Sequence, residues 1–182
     1  MIKHIFLTGR IQVGKSTLLY RVLSDLENQQ GNTLEYDGFR TYFDFRKSEF
    51  KKLYMERYTS DETVDCAKYC MIQFLEGRPQ MQTLAYETEG IEILSSLDTK
   101  KLLIFDECGK FERNSTGFIK KMAEILDGDT HVFGVLRKDD SIQWLQDIAN
   151  RDDVCVIEVT EENRDTLKEE VKALLLKILR EK

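Results

Sequence analysis

Short apolar runs alternate with stretches of helical periodicity along most of this chain. Four runs have the length and continuity of buried parallel strands: residues 4–8, 101–105, 131–136 and 154–159. In the segments that follow them, apolar residues recur every three or four positions, which predicts helices: residues 15–29, 118–126, 142–149 and 160–179. Thr160 is a suitable cap for the last of these helices. The alternation predicts an α/β fold, with a mostly parallel sheet covered by helices on both faces.

The middle of the chain breaks this alternation. Residues 34–58 interleave Phe and Tyr with charged residues, which is typical of antiparallel or edge strands. Residues 61–97 are ambiguous, and we expect helical pieces at 64–75 and 90–97. The chain has one proline and neither a linker-like stretch nor an internal repeat, so the sequence predicts a single domain over residues 1–182.

Composition and charge argue against several classes of protein, including nucleic-acid-binding, membrane-spanning and secreted proteins. The chain has 27 Lys and Arg against 33 Asp and Glu, which gives a net charge of −6. This balance disfavours a nucleic-acid partner, although a local basic groove is compatible with it. No apolar run approaches the roughly 20 residues of a membrane span, and the N-terminus lacks the features of a signal peptide. The four cysteines lack the spacing of a zinc site, so we expect reduced thiols in a cytoplasmic protein.

The most informative motif follows the first predicted strand and opens the first predicted helix. Residues 9–17 match the phosphate-binding pattern G-x-x-x-x-G-K-[ST] in full. The predicted nucleotide contacts are Gly9, Arg10, Ile11, Gln12, Val13, Gly14, Lys15, Ser16 and Thr17. Backbone N–H groups of such a loop, together with the helix N-terminus, attract phosphate. We expect Lys15 to reach the β- and γ-phosphates and the Ser16 hydroxyl to bind Mg²⁺.

Asp106 and Glu107 follow the second apolar strand and supply the other half of such a site. Because ligands of open parallel sheets collect at the carboxyl ends of the strands, we expect Asp106 to hold Mg²⁺, directly or through a water, beside Ser16. Glu107 is placed to orient and deprotonate a water for in-line attack on the γ-phosphate. A carboxylate beside the metal ligand suits water activation, which favours hydrolysis of a nucleoside triphosphate. A kinase would need an acceptor pocket and a lid that excludes water.

Residues 106–112, Asp-Glu-Cys-Gly-Lys-Phe-Glu, resemble the D-E-[IC]-G-K-M-E signature of the cancer-related nucleoside-triphosphatase family, which is also known from thermophiles. Gly38-Phe39 is similar to that family's glycine–aromatic strand start, and residues 159–165 are similar to its closing V-T-x-E-N-R segment. The resemblance covers residues 4–46 and 101–180. Within it, residues 10–12 and 41–43 depart from the family pattern.

The resemblance implies a RecA-like P-loop NTPase core and Mg²⁺-dependent hydrolysis of nucleoside triphosphates to diphosphate and phosphate, with loose base selectivity. It also adds Lys110, Glu112 and Arg164 to the candidate site. Lys110 would lie over the γ-phosphate, with a solvated lysine as the alternative. Arg164 would act as an internal arginine finger or as a sensor of the γ-phosphate, with a pairing to Glu161 or another carboxylate as the alternative.

Other residues have competing interpretations. Arg137 and Lys138 follow a predicted strand at its carboxyl end, where they would contact phosphate or belong to a charged loop. The aromatic and charged residues of segment 40–46 have the composition of a base-stacking surface, but a strand with one core face and one solvated face gives the same pattern. We expect Cys66 and Cys70 to be core thiols.

Two rival functions stay open at the level of sequence. A small-molecule or nucleotide kinase would place an acceptor pocket within residues 40–100. A nucleotide-switched regulator or a nucleic-acid-associated NTPase would use hydrolysis as a timer, and the charge of −6 argues against the nucleic-acid version. No base-reading motif is visible, and the sequence does not fix the oligomeric state, for which a monomer is favoured.

Overall fold

The computed structural model describes residues 1–28, 34–44, 51–75, 78–81 and 84–180. The strands in this part of the chain are β1 (His4–Thr8), β2 (Tyr36–Asp44), β3 (Lys52–Arg57), β4 (Lys68–Leu75), β5 (Arg78–Met81), β6 (Leu102–Cys108), β7 (Val132–Leu136) and β8 (Val154–Glu158). The α-helices there are α1 (Lys15–Glu27), α2 (Ile91–Ser96), α3 (Thr116–Asp127), α4 (Gln143–Ala149) and α5 (Leu167–Arg180), and short π- and 3₁₀-helical turns lie at Tyr86–Gly90 and Phe111–Asn114. The described strands form one sheet in the order β5-β4-β3-β2-β6-β7-β1-β8.

Strands β2, β6, β7, β1 and β8 pair in parallel and have a hydrophobic core on each face. Side chains of successive residues point to opposite faces, so Phe6 lies in one core while Ile5 and Leu7 lie in the other. Helices α2, α3 and α4 cover the first face, and α1 and α5 cover the second. Burying each such large apolar side chain contributes about 1.5–3 kcal/mol. The predicted α/β fold with helices on both faces is confirmed.

Strands β3, β4 and β5 extend the sheet beyond β2 in antiparallel pairs. The pairing of β2 with β3 confirms antiparallel strands at 34–58, but neither is an edge strand. β2 also pairs in parallel with β6, and the edges of the described sheet are β5 and β8. The predicted helix at 64–75 is wrong, because residues 68–75 form β4. A short apolar run fits a strand or a helix equally well, and here pairing with β3 and β5 decides. The helix predicted at 90–97 is present as α2.

A buried ion pair joins the antiparallel extension to the parallel sheet. Asp37 on β2 is almost fully buried, and Arg57 on β3 donates to its two carboxylate oxygens, from Nε at 3.0 Å and from Nη2 at 2.5 Å. The backbone N–H groups of Gly38 and Asp98 also donate to this carboxylate, each at 2.9 Å. The ion pair therefore links β2, β3 and the segment that leads into β6.

The segment after β8 differs from the prediction at its start. The regular helix α5 begins at Leu167 rather than directly after Thr160. Thr160 nevertheless caps a helical turn: its hydroxyl oxygen accepts from the Asn163 N–H at 3.3 Å, and the Asn163 side-chain oxygen accepts from the Thr160 N–H at 2.7 Å. This reciprocal capping closes the turn between Thr160 and Asn163. No helix in the described residues has the length and apolar character needed to cross a bilayer.

Candidate active site

The loop between β1 and α1 has the backbone geometry of an anion-binding site. Gly9 and Gly14 adopt positive φ angles of 137° and 107°, which side chains disfavour. A Cβ on Gly9 would also lie only 2.3 Å from the carbonyl oxygen of Val159. Gly14 is the residue before α1, so the positive end of the helix dipole opens directly onto the loop. Residues 9–17 thus have the backbone geometry that a phosphate-binding loop needs, and their contacts with phosphate stay a prediction.

Lys15 brings a cation to the middle of this loop. Its side chain is buried, and its ammonium donates to the carbonyl oxygens of Gly9 at 3.2 Å and Arg10 at 2.9 Å. Burial lowers the pKa of Lys15, and the nearby Glu107 carboxylate opposes that shift. A desolvated ammonium at this position attracts phosphate more strongly than one in water.

Asp106 is held by two hydroxyl groups from successive turns of α1. The Ser16 hydroxyl donates to Oδ1 at 2.7 Å, and the Tyr20 hydroxyl donates to Oδ2 at 2.6 Å. Burial raises the pKa of Asp106, and these two hydrogen bonds oppose the shift by stabilising the carboxylate. Sequence reasoning missed Tyr20, although its position four residues after Ser16 places both side chains on one helix face.

The donor set at this point fits a magnesium ion. The Ser16 hydroxyl oxygen and the Asp106 carboxylate are hard oxygen ligands that lie within 2.7 Å of each other at the end of the loop. Mg²⁺ in nucleotide sites takes one or two protein oxygens and completes its shell with phosphate oxygens and waters. Ser16 and Asp106 are therefore the residues that would hold Mg²⁺ beside a bound triphosphate.

Glu107 faces a cleft of about 620 Å³ that opens between the phosphate loop and the antiparallel extension. Lys15, Ser16 and Arg137 line the same cleft. The peptide bond between Asp106 and Glu107 is cis, and the Glu107 N–H donates to the Thr41 hydroxyl at 3.2 Å. Burial raises the pKa of the Glu107 carboxyl, against the pull of Lys15. A raised pKa makes the carboxylate a better proton acceptor near neutral pH.

Comparison with known proteins places this site in a family. A sequence model of the family described as NTPase matches residues 4–172. The chain belongs to this NTPase family. Nucleoside-triphosphatase THEP1 of Thermotoga sp. (strain RQ2) is 29% identical over 175 residues, which cover 94% of each chain. The cancer-related nucleoside-triphosphatase homolog of Mus musculus is also 29% identical, over 96% of this chain and 97% of its own.

A solved structure extends the likeness to the fold. The crystal structure of THEP1 from the hyperthermophile Aquifex aeolicus matches with a TM-score of 0.70 at 25% identity, and the match covers 94% of this chain and 98% of that one. The NTPase family membership therefore rests on sequence and on fold over nearly the whole chain.

The remaining predicted site residues of this NTPase fall into two groups. Lys110, Glu112 and Arg137 line the cleft with Glu107. Lys138 instead forms an ion pair with Glu158 at 2.7 Å. Of the base-stacking surface predicted at residues 40–46, Tyr42 and Phe43 on β2 also line the cleft. Phe45 and Arg46 lie outside the described residues.

Arg164 packs against the phosphate loop but is not among the residues that line the cleft. Its guanidinium Nη1 donates to the carbonyl oxygen of Val13 at 3.5 Å, and its Cδ would lie 3.8 Å from a Cβ on Gly14. The structure therefore brings Arg164 to the loop but to the side opposite Glu107. Whether it acts as an arginine finger stays a prediction.

The cysteines of this NTPase are all free, but they are not all in the core. Cys108 is buried, whereas Cys66 is exposed and Cys70 is half-buried. The prediction that Cys66 is a core thiol is wrong, because it lies in the loop that leads into β4 rather than on a helix. The described residues contain no group of three or more metal-ligating His, Cys, Asp or Glu side chains.

Glu112 makes stability depend on pH. It is buried, its Oε2 lacks a hydrogen-bond partner among the described residues, and burial raises its pKa from 4.5 to about 7. Since the folded-state pKa lies above the unfolded value, the stabilisation is complete below pH 4.5 and is lost as the pH rises through 7. We expect Glu112→Gln to remove this loss and so to gain about 3 kcal/mol relative to the wild type between pH 4.5 and pH 8.

Urea denaturation of both proteins across this pH range measures the difference in the free energy of unfolding. His4, whose pKa burial lowers to about 4, gives a slope of the opposite sign, but this slope is common to both proteins and cancels in the difference. Stability curves that stay parallel from pH 4.5 to pH 8 would show that Glu112 does not titrate as the structure indicates.

Proposed function

We propose that this chain hydrolyses nucleoside 5′-triphosphates to diphosphate and phosphate in a Mg²⁺-dependent reaction with loose base selectivity. The observation that carries the proposal is the position of Glu107, which lines one cleft with Lys15 and with Ser16, whose hydroxyl donates to the buried Asp106. The names of the relatives, nucleoside-triphosphatases from bacteria and mammals, support it. We further propose that residues 1–182 act as one domain, as a monomer in the cytoplasm.

Each residue of the site has a role that its position supports. Lys15 and the backbone N–H groups of the loop bind the β- and γ-phosphates. Ser16 and Asp106 hold Mg²⁺, which when bound neutralises phosphate charge and orients the triphosphate. Glu107 orients the attacking water and accepts its proton. Catalysis in such a site comes mainly from the placement of the attacking water against the γ-phosphate and from neutralisation of the phosphate charge.

Two cations in the cleft complement the developing charge on the γ-phosphate. Lys110 and Arg137 both line the cleft, and Arg137 is close enough to Glu107 to oppose the rise in its pKa. We assign Arg137 to the γ-phosphate oxygens because its planar guanidinium matches two of them at once. We assign Lys110 to the same phosphate because it lines the same cleft, where its ammonium lies 5.2 Å from the centre of the Phe111 ring.

The proposal is tested by phosphate release from ATP, GTP, CTP and UTP, with and without Mg²⁺ and without another acceptor. We expect release from all four nucleotides only with Mg²⁺. Lys15→Ala should abolish it, whereas the matched control Lys121→Ala, at a half-buried position of α3 that does not line the cleft, should not change it. Binding of nucleotide without release of phosphate would contradict the proposal.

One observation favours phosphoryl transfer as a second candidate function. The cleft continues past Glu107 to an aromatic wall formed by Phe43, Phe74 and Phe111. The first two belong to segment 40–100, where a kinase would place its acceptor. Consumption of ATP that depends on an added nucleoside or nucleotide, with the phosphate recovered on that acceptor, would favour this function over hydrolysis.

Tyr20 should set the Mg²⁺ requirement, because its hydroxyl fixes one of the two Asp106 oxygens. Groups that orient a metal ligand in this way are worth roughly 10- to 100-fold in metal affinity or activity. We expect Tyr20→Phe to raise the Mg²⁺ concentration for half-maximal phosphate release by about tenfold. Tyr36→Phe is the matched control, since its hydroxyl contacts Tyr58 rather than Asp106. Equal Mg²⁺ titrations for Tyr20→Phe and the wild type would exclude this role.

A further inference from the structure

The strand order places different side chains on the two sides of the phosphate loop. β1 leads into the loop and has β7 and then β6 on one side and β8 on the other. Asp106, Glu107 and Arg137 follow β6 and β7, whereas Arg164 follows β8. The groups assigned to the γ-phosphate therefore all lie on one side of the loop, and Arg164 lies on the opposite side.

This separation fixes the direction of a bound nucleotide. A triphosphate whose γ-phosphate lies beside Glu107 extends along the loop towards β8 with its β- and α-phosphates. Its nucleoside then leaves the loop on the side of Arg164. On that side Arg164 is exposed to solvent, so a base and a ribose have room beside it.

Arg164 is held at this place by its backbone rather than by an ion pair. The Arg164 N–H donates to the Thr160 carbonyl at 3.1 Å, and the Val159 N–H donates to the Thr8 carbonyl at 2.8 Å, which ties the turn to the end of β1. Among the described residues no carboxylate lies within ion-pair distance of Arg164. The adjacent Asp165 pairs with Arg21 at 3.8 Å instead.

A planar guanidinium at this position suits a nucleobase. Arginine stacks on any base, because every base has a π-face, and stacking of this kind is tolerant of base identity. We propose that Arg164 contacts the nucleoside by stacking on its base, rather than the γ-phosphate. The inference rests on the nucleotide binding of the proposed function, and it explains loose base selectivity without a hydrogen-bonding group that reads the base.

Isothermal titration calorimetry tests the inference by measuring the affinity of the full chain for ADP, GDP, CDP, UDP and inorganic pyrophosphate. We expect Arg164→Ala to weaken all four nucleotides by about tenfold, as for loss of one stacking partner, and pyrophosphate by less than twofold. Arg164→Lys, which keeps the charge but loses the planar group, should resemble Arg164→Ala. The matched control Arg21→Ala should bind all five ligands as the wild type does.

Three results would overturn the assignment. Equal weakening of pyrophosphate and nucleotides by Arg164→Ala would show a phosphate contact, as an arginine finger requires. Wild-type affinities in both Arg164 variants would show a purely structural residue, and recovery of affinity in Arg164→Lys would show that charge alone matters. Because diphosphate binding needs no hydrolysis, a protein that binds nucleotides without releasing phosphate would contradict the proposed function while leaving this test intact. Thermal melting of Arg164→Lys checks that the comparison uses folded protein.

Discussion

Replacing Glu107 by glutamine is expected to lower kcat for phosphate release by roughly 10²- to 10⁴-fold, the range attributed to a positioned general base. The amide keeps the size of the side chain and its place in the cleft but cannot accept the proton of the attacking water. Lys15, Ser16 and Asp106 stay in place, so the affinity for nucleotide should change little. The effect should therefore fall on kcat and not on binding.

Single-turnover phosphate release and calorimetric nucleotide binding separate these two quantities. Glu124→Gln, an exposed glutamate on α3 far from the cleft, is the matched control and should retain wild-type kcat. A Glu107→Gln protein with kcat within a few-fold of the wild type would remove Glu107 from the mechanism. In that case a group other than Glu107 would have to orient the attacking water.

Replacing Arg57 by methionine is expected to destabilise the protein by about 3–5 kcal/mol, the cost of leaving a buried charge without its partner. Asp37 is 1% exposed and receives two hydrogen bonds from Arg57. Without the guanidinium, the donors to its carboxylate that remain among the described residues are the backbone N–H groups of Gly38 and Asp98. The loss should weaken the attachment of the antiparallel extension, which forms one wall of the cleft.

Urea denaturation gives the free energy of unfolding for this variant. The double variant Asp37→Asn with Arg57→Met removes both charges and should recover a large part of the loss, because no buried charge is left unpaired. A single variant as stable as the wild type, or a double variant no better than the single, would show that the ion pair is not what anchors β3 to β2.

The sequence predicts β1, β6, β7 and β8 well, because each of these strands is an apolar run and helical periodicity follows it. The parallel pairing of β2 with β6 is not predicted, since β2 mixes aromatic with charged residues and leads into β3 rather than a helix. The phosphate loop is also predictable, since its glycines, lysine and serine occur at fixed spacing within one segment. The acidic pair follows from its place after a buried strand. Each of these features depends on residues that are close together in the sequence, so it can be predicted without knowledge of the fold.

The features that the sequence does not reveal depend on distant contacts. β4 is a strand because β3 and β5 pair with it, and its own residues fit a helix as well. The Asp37–Arg57 pair joins residues that become neighbours only when β2 and β3 pair. Tyr20 could have been found from its helical spacing to Ser16, but its role needs Asp106, which arrives from β6.

Hydrolysis of ATP in water labelled with ¹⁸O tests the central claim most directly, because it shows which nucleophile attacks which phosphorus. Attack of a water oriented by Glu107 on the γ-phosphate places the label in the released phosphate and leaves the ADP unlabelled. The proposed mechanism predicts this pattern in the wild type, with the rate lost in Lys15→Ala and Glu107→Gln. Label in ADP, or phosphate that leaves ATP only when an added acceptor is present, would contradict it.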